Sequence, residues 1–220
     1  MSELESLYPF LYSDTGDLTA VLDQVRASTV AKATEIGELR RAVGARDGAR
    51  IAECAREAAA RFAAGGRLFA FGNGGSATDA AQLATLFLNP GGAAPPLPAF
   101  GLANDTSVIT ALANDVGPEV IFARQLAAFG GRGDIAVGLS TSGNSENLLR
   151  AFDEASRRGM LTIGLAGYDG GKMAELDSID YLFVVPSSSV HRVQEAQTTI
   201  YQVLWELTAE EVSHVPGHTR

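Results

Sequence analysis

The chain turns at Ser140-Thr141-Ser142-Gly143-Asn144-Ser145, and the segments on either side of these six residues differ in periodicity. Residues 134–139 form a short apolar run before them, which predicts a buried strand. Residues 146–158 follow with apolar side chains at helical spacing, which predicts a helix. The six residues therefore connect a strand to a helix, and they are called the serine loop below.

The serine loop combines hydroxyl groups with the start of a helix. The first turn of a helix leaves backbone N–H groups without partners, and the helix dipole places roughly +0.5 charge there. Four hydroxyls in six residues, with Gly143 allowing close backbone approach, suit the oxygens of a phosphate monoester. Ser145 alone could be a helix cap that binds no ligand. The other hydroxyls are not explained by a cap, so we interpret the loop as a ligand-binding loop.

Composition limits the class of protein. The 220 residues fit one sizeable domain with a helical extension, and 46% apolar residues are enough for a buried core. The net charge of −9 argues against non-specific binding to nucleic acid or to an anionic membrane. Cys54 is the only cysteine, which excludes a disulfide framework. The start of the chain lacks signal-peptide features, and no apolar run approaches the ~20 residues of a membrane span, so we expect a cytoplasmic protein.

The N-terminal part predicts helices before any strand. Residues 17–43 and 47–64 have helical patterns, and their apolar faces suggest packing against another subunit. We therefore expect residues 1–46 to be an N-terminal extension used in oligomerisation. Residues 47–213 form the main domain in this interpretation, and residues 214–220 form a polar tail.

From residue 67 onward a strand–turn–helix pattern repeats. The predicted strands are residues 68–71, 98–102, 135–139, 161–165 and 181–185. Nearly continuous apolar strands that alternate with helices indicate an α/β fold, a three-layer α-β-α sandwich with a five-stranded parallel sheet. Ligands of such sheets bind beyond the carboxyl ends of the strands. The polar segments at that edge are residues 72–76 (the glycine loop), Asn114–Asp115, the serine loop and the start of the last helix.

The glycine loop also fits a weak dinucleotide-binding pattern. Gly72 to Ala77 satisfies G-x-G-x-x-A, which requires in addition an acidic residue after the next strand to hold a ribose. Asp105 is the nearest candidate, but it is better placed as a helix cap. Dinucleotide binding also leaves the serine loop unexplained, so we do not favour it.

A set of motifs resembles the sugar-isomerase (SIS) domain of the phosphoheptose isomerase family. They are the glycine loop with Asp79, Asn114–Asp115, the serine loop, residues 167–171 and residues 192–195. The resemblance runs from about residue 51 to residue 206. It implies a flavodoxin-like five-stranded parallel sheet, a homotetramer with active sites between subunits, and a phosphorylated sugar, sedoheptulose 7-phosphate, as ligand. The resemblance gives as ligand-binding positions Asn73, Gly74, Gly75, Ser76, Asn114, Asp115, Ser140, Thr141, Ser142, Ser145 and Gln194.

The chain departs from this family at the metal-binding positions. The family's His and Glu on the helix after the glycine loop are Gln82 and Leu86 here. The last helix keeps Gln194, but the family's two histidines there correspond to Gln197 and Gln202. Zinc is held by thiolate, imidazole or carboxylate, and neutral amides do not offset the cost of desolvating the ion. We therefore predict no zinc site and no other cofactor.

The same changes affect catalysis. Aldose–ketose isomerisation needs a general base within hydrogen-bond reach of the carbon acid, and neither Gln nor Leu accepts that proton. The first hypothesis is therefore a phosphosugar-binding protein without zinc-dependent catalysis, which acts as a sensor, regulator or scaffold.

Two alternatives remain open. His191 and Glu195 are four residues apart on one predicted helix face and could transfer protons, which would make the chain an active isomerase of sedoheptulose 7-phosphate or another phosphosugar. In the simpler interpretation Glu195 pairs with Arg192 or with a helix N-terminus, and His191 is exposed or lies between subunits. The second alternative is a protein adaptor, because relatives that lack parts of the catalytic set bind the bacterial replication initiator. The contact surface for an unidentified protein partner would then be the long N-terminal helices and the aromatic segment Tyr8–Tyr12.

Overall fold

The structure, a computed structural model, describes residues 18–90 and 95–214. The chain divides into two compact units, Met1–Glu38 and Leu39–Arg220. The aromatic segment from Tyr8 to Tyr12 and all but the first residue of the expected polar tail lie outside the described residues. The roles predicted for these segments stay predictions.

The first helix, α1, spans Leu18–Ala63 without a break. The prediction of two helices separated after Val43 is wrong. Val43 and Ile51, on either side of the expected break, are each only 5% exposed. Burial of such side chains contributes about 1.5–3 kcal/mol each. This exceeds the cost of about 1 kcal/mol that each glycine between them adds to a helix.

Within the first unit, α1 carries apolar side chains that are open to solvent. Val21, Leu22, Val25 and Val30 are 50–60% exposed. Their exposure agrees with the expected role of residues 1–46 in oligomerisation, which remains a prediction.

The second unit is built on a five-stranded sheet. Its strands are β1 (Leu68–Gly72), β2 (Ala99–Gly101), β3 (Ile135–Leu139), β4 (Leu161–Gly167) and β5 (Tyr181–Val185). All neighbouring strands are parallel, and their order is β2-β1-β3-β4-β5. The predicted α/β fold with a five-stranded parallel sheet is confirmed. Because the chain reverses direction across the sheet between β1 and β3, the loops after these strands flank the topological switch point.

The helices after α1 cover the sheet. They are α2 (Gly75–Leu88), α3 (Thr106–Asp115), α4 (Ile121–Phe129), α5 (Glu146–Arg157) and α6 (Val190–Ser213), with short 3-10 segments at Pro118–Val120 and Gly171–Glu175. Asp105 caps α3 as predicted, because its Oδ1 accepts hydrogen bonds from the backbone N–H groups of Ser107 and Val108 at 3.0 and 3.1 Å.

The core lies on both faces of the sheet. On the face covered by α4 and α5, the Phe71 ring packs against Phe122 and Phe152 with centroids 5.5 and 5.4 Å apart. On the other face, α2 packs against β1 and α6, and the rings of Phe62 on α1 and Phe87 on α2 lie 5.3 Å apart. This burial holds the carboxyl ends of β1, β3, β4 and β5 at one edge, where the candidate site lies.

Among the described residues, none of the helices combines the length and the apolar character that a bilayer span requires.

Candidate functional site

The glycine loop and the serine loop lie side by side at the switch point. The side-chain amides of Asn73, in the glycine loop, and Asn147, on α5, exchange two hydrogen bonds of 2.9 and 3.0 Å. Gly74 has a φ of +55°, and Ser76 is buried at the first turn of α2, where its N–H donates to the carbonyl of Asn73 at 3.0 Å. These bonds join the glycine loop to the first turn of α5, and the pairing of Gly72 with Leu139 makes the two loops start next to each other.

The serine loop uses some of its hydroxyls to shape its own backbone. The N–H of Gly143 donates to Ser140 Oγ at 3.0 Å, and the N–H of Asn144 donates to Ser142 Oγ at 3.3 Å. These bonds leave the hydroxyl protons free to point elsewhere, since each oxygen acts as an acceptor. Thr141 is half-buried in the same loop.

Ser145 occupies the N-cap position of α5, but its side chain makes no capping hydrogen bond. The carbonyl of Ser145 accepts from the N–H groups of Leu148 and Leu149 at 3.0 and 3.2 Å. The N–H groups of the two residues before Leu148 belong to the unpaired first turn of the helix. The start of α5 therefore offers backbone donors and a hydroxyl to an anion.

Residues 167–171, the support loop, hold the serine loop in place. Gly143 has a φ of +68°, and a Cβ atom there would lie 1.9 Å from the carbonyl oxygen of Gly170. A Cβ atom on Gly167 would lie 2.3 Å from the carbonyl oxygen of Thr141. The N–H of Met173 donates to the Gly143 carbonyl at 3.0 Å. Sequence reasoning gave the support loop no role, although three glycines directly after an apolar strand were a signal of close backbone approach.

A cleft of about 590 Å³ opens beside the serine loop, on the side of β4 and β5. Its walls include Ser142, Asn144, Tyr168, Asp169, Ser187 and Ser188. Pockets for small molecules are commonly about 300–1,000 Å³, so the cleft is large enough for a sugar.

On the opposite side, the first turns of α6 lie over the glycine loop. A Cβ atom on Gly75 would lie 2.3 Å from Gln194 Nε2, and that nitrogen donates to Asp79 Oδ2 at 3.3 Å. Desolvation raises the pKa of the half-buried Asp79 carboxyl, and the hydrogen bond from Gln194 opposes this shift. Gln194 therefore lies against the glycine loop, and the ligand-binding role that the resemblance gives it stays a prediction.

Gln197 links α6 to the serine loop. Its side chain is fully buried, and its Nε2 donates to the carbonyl oxygen of Ser140 at 3.0 Å. Its Oε1 is buried and has no hydrogen-bond partner among the residues that the structure describes. Sequence reasoning treated Gln197 only as a replaced histidine and missed this link, because the contact joins residues 57 positions apart.

The positions to which the resemblance assigns the family's metal carry groups that do not suit zinc. Gln82 Oε1 accepts from the hydroxyl of Tyr201 at 3.1 Å, so the amide oxygen is already engaged within the chain. Gln202 and Leu86 are half-buried on the same two helices. In the described part of the chain, His, Cys, Asp and Glu side chains form no group of three or more that could hold a metal ion. The donor set does not fit zinc, and the absence of zinc stays a prediction.

The two candidate proton-transfer residues, His191 and Glu195, differ in their surroundings. His191 is exposed at the start of α6. Glu195 accepts a hydrogen bond from Arg192, whose side chain is largely buried. The pairing that the simpler interpretation expected is therefore present, and the catalytic role of either residue remains untested.

Asn114 and Asp115 lie apart from the two loops in their hydrogen bonding. Both are exposed at the end of α3, and Asn114 Nδ2 donates to Asp115 Oδ1 at 2.9 Å. Within residues 18–90 and 95–214, neither side chain has a hydrogen bond to the glycine or serine loop. Their predicted role in ligand binding is not tested by this geometry.

Comparison with known proteins places these features in a family context. The family model described as SIS domain matches residues 33–167. The phosphoheptose isomerase of Thermodesulfovibrio yellowstonii is 41% identical over 173 residues, which is 76% of this chain and 83% of that protein. The phosphoheptose isomerase of Desulfovibrio desulfuricans is 46% identical over 177 residues, which is 74% of this chain and 83% of that protein.

Solved structures agree with the sequence comparisons. A phosphoheptose isomerase from Francisella tularensis superposes with a TM-score of 0.78 at 30% identity, covering 86% of this chain and 98% of that one.

Proposed function

The chain belongs to the SIS-domain family of the phosphoheptose isomerases, and from this membership we propose that it binds a phosphorylated sugar without zinc-dependent catalysis. In this function it acts as a sensor, regulator or scaffold.

The observation that carries the proposal is the serine loop at the start of α5. Ser145 starts the helix without a capping bond from its side chain, which leaves its hydroxyl and the first N–H groups of the helix for a phosphate. Neither this loop nor the glycine loop contains Lys or Arg. Phosphate would therefore be held by neutral donors, each charge-assisted bond contributing about 1.5–3 kcal/mol. After ordering and desolvation, we expect an affinity of about micromolar to millimolar.

The absence of turnover is inferred from the side chains between α2 and α6. Gln82 is engaged by the Tyr201 hydroxyl, and Gln194 is engaged by Asp79. The donor set offers neither an imidazole nor a carboxylate at the positions where the family has them. These amides can hydrogen-bond sugar hydroxyls, but they cannot accept a proton from carbon.

A second candidate function is isomerisation with a different base. The name of the relatives, phosphoheptose isomerase, at 41–46% identity favours it. His191 and Glu195 would carry the proton transfer. If the chain is active, Glu195→Gln and His191→Ala are expected to abolish turnover, and full activity in both variants would remove this assignment.

The assembly belongs to the proposal as well. We propose a homotetramer with sites between subunits, supported by the family resemblance and by the exposed apolar side chains of α1 in the first unit. The adaptor hypothesis assigns the contact surface to the N-terminal helix and to the segment Tyr8–Tyr12, and that segment is outside the described part of the chain.

The test is a proton NMR time course of the protein with sedoheptulose 7-phosphate in D₂O. The expected result is broadened sugar resonances without conversion and without exchange of a carbon-bound proton. Unphosphorylated sedoheptulose is the matched control and should stay sharp, because the phosphate supplies the main contact. Conversion or deuterium uptake would favour the isomerase, and sharp lines at millimolar phosphosugar would contradict binding.

A further inference from the structure

Two hydrogen bonds join α2 to α6 on the face where the resemblance places the family's metal. Gln194 Nε2 donates to Asp79 Oδ2 at 3.3 Å, and the hydroxyl of Tyr201 donates to Gln82 Oε1 at 3.1 Å. Asp79 and Gln82 are three residues apart on α2, and Gln194 and Tyr201 are seven residues apart on α6. Each helix therefore uses one face for both bonds.

The bond from Tyr201 fixes the direction of the Gln82 amide. The Tyr201 side chain is fully buried, so packing holds its ring and gives its hydroxyl a fixed position. Gln82 is exposed, and an exposed glutamine that makes no such bond keeps its rotamer freedom. Because the planar amide turns Oε1 towards the hydroxyl, its Nε2 faces away from Tyr201. This nitrogen has no hydrogen bond within residues 18–90 and 95–214, so Gln82 presents its N–H donors in one direction.

A fixed N–H donor suits an oxygen of a sugar. Hydroxyl and carbonyl oxygens both accept hydrogen bonds, and a donor that is oriented before binding avoids the entropy cost of being ordered by the ligand. The same position does not fit zinc, because a neutral amide does not offset the desolvation of the ion. The position therefore suits a hydrogen bond to the ligand better than it suits a metal.

We propose that Tyr201 is a positioning residue, which holds the Gln82 amide so that its N–H groups donate to an oxygen of the polyol chain of the bound phosphosugar. This inference rests on the proposed function and deepens it. It gives Gln82 a direct contact with the sugar, and it makes that contact depend on a buried side chain that does not itself touch the ligand.

A double-mutant cycle tests this role, with sedoheptulose 7-phosphate and inorganic phosphate as probes in isothermal titration calorimetry. Tyr201→Phe removes only the hydroxyl, and Gln82→Met removes the amide. We expect the affinity for sedoheptulose 7-phosphate to fall about 3–5-fold in Tyr201→Phe and about 5–10-fold in Gln82→Met, as for a weakened and a lost hydrogen bond. The double variant should bind as weakly as Gln82→Met alone, because a positioning residue has no effect once the side chain that it positions is gone. Inorganic phosphate should stay within about twofold in all three variants, since it lacks the polyol chain.

Thermal unfolding distinguishes this role from a purely structural one. Gln82→Met leaves the buried Tyr201 hydroxyl without its partner and should lower the melting temperature. The double variant should regain most of that loss, because both polar partners are then removed. Its affinity for sedoheptulose 7-phosphate should stay low although its stability returns.

Tyr181→Phe is the matched control. The Tyr181 hydroxyl also donates to a side chain, Glu57 Oε2 at 3.3 Å, but this bond joins β5 to α1 and not α2 to α6. Its removal should leave the affinity for sedoheptulose 7-phosphate unchanged.

Several results would overturn the inference and leave the proposed function standing, because the unaltered protein would still bind the phosphosugar. They are an unchanged affinity in Tyr201→Phe or in Gln82→Met, additive losses in the double variant, affinity that returns together with stability, and an equal loss of both probes. No binding of either probe to the unaltered protein would remove the proposed function and this inference with it.

Discussion

The two sides of the candidate site differ in whether backbone groups or side chains form them. The serine loop and the support loop are shaped by backbone contacts, such as the 1.9 Å between a Cβ position on Gly143 and the carbonyl of Gly170. The face between α2 and α6, called the amide face here, is made of side chains, including Gln82 and Gln194. A site of backbone groups and helix N–H donors survives most substitutions, because every residue except proline supplies a backbone N–H. A metal site depends on side-chain chemistry and disappears when its ligands are replaced.

The largest expected effect comes from restoring ligands to the amide face. The triple variant Gln82→His, Leu86→Glu, Gln202→His supplies two imidazoles and a carboxylate, as catalytic zinc sites do. We expect zinc binding to change from no stoichiometric binding to a dissociation constant of about 1 µM or below, measured by calorimetry.

The control for this experiment is Gln82→His alone, which should bind zinc weakly because one imidazole does not make a site. If the triple variant also fails to bind zinc, α2 and α6 do not bring these three positions close enough together. The amide face would then lack a metal site because of its geometry as well as its donor chemistry.

The next effect tests whether backbone contacts define the loop side. Gly143→Ala places a methyl group against the Gly170 carbonyl. It also puts a residue with a Cβ atom at a φ of +68°, and this left-handed backbone conformation alone costs about 1–2 kcal/mol. We expect sedoheptulose 7-phosphate affinity to fall at least ~10-fold and the free energy of unfolding to decrease.

Gly44→Ala is the matched control, since a Cβ atom there meets nothing within 4 Å. It should leave binding unchanged and raise the helix stability by up to about 1 kcal/mol. A Gly143→Ala protein with full affinity would show that the close contact between the loops is not needed for binding.

A smaller effect is expected at Gln197, the side chain that joins the two sides. Gln197→Met removes the bond to the Ser140 carbonyl, but it also removes a buried oxygen that has no partner within residues 18–90 and 95–214. The two changes oppose each other, so we expect the free energy of unfolding to change by less than about 1 kcal/mol. The affinity for sedoheptulose 7-phosphate should fall by about 3–5-fold, as for a weak hydrogen bond, because Ser140 is less well held.

Gln125→Met provides the comparison. Gln125 is also buried, but its amide donates to the carbonyls of Leu102 and Ile121 at 3.0 Å, away from the serine loop. It should lower stability and leave affinity unchanged. If Gln125→Met lowered the affinity for sedoheptulose 7-phosphate and Gln197→Met left it unchanged, Gln197 would not position the serine loop.

The smallest effect concerns the pH dependence of stability at Asp79. Its pKa is raised above the ordinary 3.8 in the folded protein, mainly by desolvation. Its contribution to the free energy of unfolding is therefore complete below the ordinary pKa and is lost as pH rises through the raised value. Asp79→Asn should be slightly more stable than the unaltered protein at pH 7, by up to about 0.5 kcal/mol. The difference should vanish near pH 3, as followed by denaturant unfolding, and a less stable variant at pH 7 would contradict the desolvation argument.

Much of the fold could be predicted because its signals are local. Apolar runs such as residues 135–139 and 181–185 appear as strands in the structure, and the glycine and serine loops lie at the edge where parallel strands end. The prediction of a helix break after Val43 was wrong, because burial of Val43 and Ile51 against distant residues keeps the helix continuous. Helix propensity is a weak local preference, and tertiary packing overrides it.

The sequence by itself determined the α/β class, the order of the strands along the chain, the hydroxyl-rich serine loop and the neutral side chains at Gln82 and Leu86. These follow from residue chemistry and periodicity, which do not depend on distant contacts. Only the tertiary structure showed that the support loop contacts Gly143, that Gln197 on α6 donates a hydrogen bond to Ser140, and that the open cleft lies beside β4 and β5. These are contacts between segments far apart in the chain, and their geometry is set by how the helices pack on the sheet.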